Sequence, residues 1–115
     1  MYRPLPLEVT IKKSHIDGLG LFSTCDIKKG HSLGITHIHN NNFENQYIRT
    51  PLGGFINHSN ESNCKLIKSN ISVGDKNGDW KRETVLMLIT KQLISANTEL
   101  TTYYSLYEIP SEETL

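Results

Sequence analysis

Three short clusters in this 115-residue chain combine residue types that can do chemistry. The first is Asp17-Gly18-Leu19-Gly20-Leu21-Phe22. Two glycines two apart let a turn bring backbone N–H and C=O groups up to a ligand with no Cβ in the way. The third glycine and the strand-to-helix setting of a dinucleotide fingerprint are missing. On its own the cluster reads as a plain turn. The second is Gly53-Gly54-Phe55-Ile56-Asn57-His58-Ser59 followed by Asn60-Glu61-Ser62-Asn63-Cys64, a polar tripeptide set directly after an apolar pair. Asn57 offers a donor and an acceptor from one side chain, and His58 offers its ring or its backbone. His58 with Cys64 lacks a third group to orient a catalytic base. His58 with His37 and His39 lacks a carboxylate or cysteine at a usual metal-ligand spacing, so no metal site is expected. In isolation the tripeptide reads as a capped, buried turn. The third cluster, Glu99 to Tyr107, holds Tyr103, Tyr104 and Tyr107 within five residues. Strand packing is the ordinary explanation, but a phenol aimed into a narrow channel can position an amine or a methyl group by hydrogen bonding.

The elements that must carry these clusters are strands. Val9 and Ile11 alternate with polar neighbours in Glu8–Ser14, and Ser32–His39 carries Leu33, Ile35 and Ile38. A hairpin is expected from Lys65–Val73, with Ile67, Ile71 and Val73 on one face, to Thr84–Thr90. Between them Gly74–Asp79 is dense turn chemistry, in which Asn77-Gly78 tolerates positive φ. Glu99–Tyr103 predicts a last short strand. No window of a dozen residues keeps the 3.6 period, so any helix is a single short turn. Asn40–Gln46 reads as a polar loop, and Pro110–Leu115 as a flexible acidic tail. The expectation is one mostly β domain over residues 1–115, with its core at about 9–107.

A net charge of zero, with 37% apolar and 21% charged residues, removes the electrostatic footprint of a nucleic-acid binder and excludes a membrane span. Cys25 and Cys64 are too few for a disulfide scaffold. The N-terminus has no apolar h-region, and an intracellular protein is expected, cytoplasmic or, in a eukaryotic host, nuclear. Three matches to the N-glycosylation pattern, beginning at Asn57, Asn60 and Asn70, are then chance.

Taken in order, the clusters resemble the SET domain, the lysine methyltransferase module that uses S-adenosylmethionine. Asp17–Lys29 with Gly30 resembles the family's opening G-x-G-L-F-(A/S)-x-x-D-I-x-x-G. Phe55–Cys64 resembles its F-I-N-H-S-x-x-P-N-C, and Asn97–Tyr104 its G-E-E-L-T-(Y/F)-D-Y. The resemblance spans roughly Val9 to Tyr107. It implies a β-clip fold of small sheets, a knot-like threading of the last motif, and a chain that acts alone as a compact core like viral, phage and bacterial members. It implies that Gly18, Leu19 and Gly20 cradle the methionine end of S-adenosylmethionine, and that Asn57 and His58 hold its amino group and adenine. Tyr104 falls where the family has the catalytic tyrosine, and it also borders the cofactor. Tyr47, Thr102 and Tyr103 fall beside the substrate channel. The product would be S-adenosylhomocysteine, and neither metal nor covalent intermediate is required. A catalytically silent module that binds cofactor or peptide is the alternative.

Several positions depart from the family pattern. Ser62 stands for proline, Gly54 for a frequent arginine, His31 for glutamate, Asn97 for glycine and Tyr103 for aspartate. Thr102 replaces an aromatic residue at a position that influences how many methyl groups are added. No cysteine cluster follows Tyr104, so Tyr107 is expected to fold over the adenine and stack on it. After Lys91 the chain carries Glu99, Glu108, Glu112 and Glu113 and no basic residue, which would steer a lysine in a basic protein sequence toward the site. A homodimer is compatible with the sequence.

Overall fold

The computed structural model describes residues 5–39, 47–74 and 77–103. Alternating apolar residues and the Asn77-Gly78 turn produce the longest pairing in the molecule. Strands β6 (Cys64–Gly74) and β7 (Trp80–Thr90) run antiparallel in unbroken register from Cys64↔Thr90 to Gly74↔Trp80. Gly78 takes the positive φ, 82°, that the turn demands. Both strands outrun the expected limits. Trp80, Lys81 and Arg82 are exposed strand residues paired with β6, with no buried face to mark them. Ile67, Ile71 and Val73 share a face, but Val73 at its far end is 44% exposed. The central core is built from the opposite face, by Cys64, Leu66, Leu86 and Leu88.

β3 (Ser32–His39) lies along β7, with register shifts at Ser32/Gly34 and Ile35/His37. The three-residue β4 (Tyr47–Arg49), too short to show a period, adds an edge and completes the order β4-β3-β7-β6. The one helical turn, α1 (Pro51–Gly54), starts where the sequence chemistry puts it. Thr50 caps it, with Gly53 N donating to Thr50 Oγ1 at 3.4 Å, and Pro51 sits in the first turn, where no amide donor is needed. Gly53 has to be glycine, because a Cβ there would overlap the Thr36 carbonyl.

The second sheet joins β1 (Val9–Lys13), β2 (Leu19–Ser23), β8 (Glu99–Thr102) and β5 (Asn57–His58) in the order β1-β2-β8-β5. β2 corrects the reading of Asp17–Phe22 as a plain turn. The turn ends at Gly18, whose φ is 48° and whose carbonyl accepts from Ser14 N at 2.8 Å. From Leu19 the chain is a strand, because Leu21 and Phe22 bury their side chains and the backbone pairs with β1. β8 is antiparallel to β2 and parallel to β5. An interior last strand is consistent with the expected threading. Val9, Leu21 and Leu100 from this sheet meet Leu33, Leu66, Leu86 and Leu88 from the other. Burial of each such leucine contributes about 1.5–3 kcal/mol. Among the described residues no helix is long and apolar enough to cross a membrane.

Candidate functional site

The three clusters of the sequence become neighbours. The first supplies β2, the second β5, and the third β8, which lies between them; Phe22 faces Glu99 and Asn57 faces Thr101 across the pairings. Asn57 is the hub. Its Nδ2 has four acceptors in reach: Glu99 Oε2 at 2.9 Å, Ser14 Oγ at 3.0 Å, Asp17 O at 3.1 Å and Leu19 O at 3.3 Å. Ser14 Oγ donates to the Glu99 carboxylate (2.9 and 2.8 Å) and accepts from the backbone N–H of Ile16 (2.9 Å) and Asp17 (3.3 Å). The glycine turn, the asparagine and the last strand are thus tied into one polar cluster. Among the described residues no hydrogen bond reaches Asn57 Oδ1.

Gly18 and Gly20 serve different ends. Gly18 supplies the left-handed turn that presents the Asp17 carbonyl to Asn57. Gly20 leaves room for another residue of the site, since a Cβ there would overlap Glu99 Oε2 and lie 3.2 Å from Ser14 Cβ. Leu19 between them is 52% exposed. His58 is exposed too, its ring 5.0 Å from that of Tyr103, which is itself 52% exposed. The Thr102 Oγ1 beside them in the chain is different. It is fully buried and has no hydrogen-bond partner among the described residues. An orphaned buried hydroxyl costs roughly 1–3 kcal/mol.

Other expected residues fall elsewhere. Tyr47 packs against the core edge on β4, and its ring makes edge contacts with His37 at 6.1 Å and His39 at 5.5 Å. The two histidines do share a strand face, but a phenol stands between them. His37 is held neutral: burial first, then the Arg49 charge, lowers its pKa to about 4. Among the described residues no group of three or more His, Cys, Asp or Glu side chains could hold a metal. Burial pushes the Cys64 thiol up to about 12, which makes it a core residue and not a nucleophile. Tyr104, Tyr107, Asn40–Gln46 and Pro110–Leu115 lie outside the described residues.

Sequence reading assigned no role to Ser14 or Asn63. Asn63 extends the β8 ladder with its side chain, donating from Nδ2 to Glu99 O and accepting from Thr101 N, both at 2.9 Å. Its place in the N-C pair of the second motif was the available signal. Ser14 had only a local one, a serine opening a turn into glycine. Glu99, grouped by sequence with the acidic tail, turns into the cluster and is no part of a steering surface.

Several departures acquire physical reasons. Asn97 adopts φ 62°, the left-handed conformation of the glycine it replaces, which asparagine tolerates best among other residues. Ser62 is buried, and its hydroxyl accepts from Lys91 Nζ at 3.3 Å. His31 Nε2 lies 3.9 Å from Glu8 Oε1. A Cβ at Gly54 meets nothing within 4 Å, so the frequent arginine would fit there.

Comparison with known proteins bears on the fold. A family model described as the SET domain matches residues 34–105, well over half of the chain. The first cluster lies ahead of that span and is brought to it by the β2–β8 pairing. Among solved structures, a candidate histone methyltransferase from Plasmodium falciparum superposes with a TM-score of 0.62 at 20% identity, over 89% of this chain and 96% of that one. An apo ctPRC2 complex with two substitutions in Ezh2 gives 0.56 at 19% identity, over 84% of this chain and 15% of that one. At such identities the likeness is one of fold. A search of curated proteins returned no match.

Proposed function

The chain belongs to the SET-domain family, and on that premise we propose that it is a protein-lysine methyltransferase dependent on S-adenosylmethionine. The observation that carries the reading is the state of Asn57. Its Nδ2 faces four acceptors of the cluster, while its Oδ1 is left without a partner among the described residues. An unpaired carbonyl oxygen backed by a carboxylate suits an ammonium group, which is what the methionine end of the cofactor offers. The residues present therefore fit that group.

When bound, S-adenosylmethionine supplies a methyl group activated by a sulfonium. The rest is the work of the chain. Gly18, Leu19 and Gly20 lay backbone along the methionine end, and Asn57 and His58 fix the amino group and adenine. Tyr104, two residues past the end of β8 in sequence, places its hydroxyl at the transfer point and accepts weak C–H···O contacts of about 0.5–1 kcal/mol each. Tyr103 borders the approach of the substrate lysine, with Thr102 buried behind it, and Tyr107 closes over the adenine. A free lysine has a pKa near 10.4, and desolvation in a narrow channel beside a cation favours the neutral amine that attacks. Most of the acceleration comes from holding donor and acceptor in a near-attack geometry. The substrate is a lysine in a basic protein segment, drawn in by Glu108, Glu112 and Glu113. The site of action is intracellular.

Calorimetric titration with S-adenosylmethionine, followed by mass spectrometry of a lysate incubated with labelled cofactor, tests the proposal. Binding and a labelled lysine are expected. Binding without transfer would favour the silent module, and no binding would remove the reading altogether. Tyr104→Phe should leave cofactor affinity within a few-fold and slow single-turnover transfer at least tenfold. Weakened binding with unimpaired transfer would dismiss that assignment.

A further inference from the structure

We infer that Glu99, acting through Ser14 and Asn57, is a positioning residue that selects ligands carrying an ammonium group; this rests on the cofactor reading above. The argument starts from which way round the Asn57 amide can sit. The groups that surround its end are a carboxylate, two backbone carbonyls and a serine hydroxyl. The carboxylate and the carbonyls can only accept. Ser14 has one hydrogen, and it is directed at Glu99, so Ser14 Oγ also meets Asn57 as an acceptor. Four acceptors leave no place for the amide oxygen. The nitrogen faces the cluster and Oδ1 faces away.

Glu99 is the member that makes this choice firm. It holds the Ser14 proton and accepts from Asn57 directly, so removing its second acceptor oxygen frees both neighbours. Its place is reserved: Gly20 has no side chain, and any Cβ there would evict the carboxylate. A hydrogen bond from the amide to a carboxylate also polarises the amide and makes its oxygen a better acceptor. The device is specific for a cation. With a glutamine at 99, a side-chain N–H₂ can face the cluster, Asn57 can turn over, and its own N–H₂ then meets the ligand's ammonium.

The test compares two ligands on purified protein by calorimetry. S-Adenosylmethionine carries the α-ammonium; 5′-methylthioadenosine keeps the adenosine and the sulfur and lacks it. Glu99→Gln should weaken S-adenosylmethionine about tenfold and leave 5′-methylthioadenosine within twofold. Ser14→Ala, which removes the relay and keeps the carboxylate, should give the same selective loss at about threefold. In an Asn57→Ala background, Glu99→Gln should change affinity less than twofold. Equal loss for both ligands would mean a purely structural role and overturn the inference, as would no loss for either. Wild-type protein that binds neither ligand would overturn the cofactor reading, and the inference with it.

Discussion

The two sheets are built on different principles. In β4-β3-β7-β6 the long β6–β7 ladder pairs eleven residues with eleven, and its inner face supplies the leucines of the core. In β1-β2-β8-β5 the pairings across β8 are two residues long on each side. That sheet is held by side chains from distant segments: Ser14 to Glu99, Asn57 to Asp17, Asn63 to Glu99 and Thr101 of β8. The first sheet stores stability in backbone pairing and apolar area. The second stores geometry in directed polar contacts. Stability and ligand geometry should therefore respond to different substitutions.

The largest effect should come from the ladder sheet. Leu88 is fully buried, and Leu88→Ala is expected to cost about 2–5 kcal/mol of unfolding free energy, read by urea denaturation. S-Adenosylmethionine affinity, measured where the variant is still folded, should change little. A variant that lost affinity in proportion to stability would break the division between the sheets.

The next effect is a pH dependence. His37 in the ladder sheet is 3% exposed, with a folded pKa lowered from 6.5 to about 4. The unfolded chain therefore takes up a proton between pH 6.5 and 4 that the folded chain refuses. The stability it contributes is full above pH 6.5, falls as the pH drops through that window, and is lost by about pH 4. The loss is on the order of 3 kcal/mol. His37→Gln should flatten that part of the stability–pH curve, and an unchanged curve would place the titration elsewhere.

In the other sheet Asn57→Ala should weaken cofactor binding by about 1–3 kcal/mol, the cost of leaving polar partners unpaired, and move the denaturation midpoint much less. A midpoint shift as large as that of Leu88→Ala would show the polar cluster to be a stability element after all. The smallest effect sharpens the contrast. Asn97, at φ 62°, has only one exposed side-chain contact among the described residues, from Lys12 Nζ at 3.3 Å, so Asn97→Gly should be neutral or stabilising by up to about 1 kcal/mol. The same measurement on Gly18→Ala, at φ 48°, should go the other way.

The contrast also explains what could be read in advance. The hairpin announced itself because periodic burial and an Asn-Gly turn are local signals. Its outer end, Trp80 to Arg82, did not, because residues exposed on both faces of a ribbon need no apolar alternation. β2 was mistaken for part of a turn since Gly18 and Gly20 look alike in sequence, whereas only the first bends the chain and the second makes room for Glu99. Asn57 was found through its motif. Ser14 and Glu99 were not paired, because their contact joins positions 85 residues apart and leaves no periodic trace.

The interior position of β8 has a consequence in time. During synthesis β1 and β2 can pair as soon as they emerge, and β6 and β7 can zip from their turn. β5 and the inner edge of β2 must wait, because the strand that joins them is made last. Contacts that span so much of the chain form slowly, and strand edges left open meanwhile are places where other chains can add. The scaffold sheet can therefore be complete while the other sheet is still open. The contacts that tie Asn57 and Asn63 to the last strand can form only afterwards, when residues 99–102 join β2 and β5.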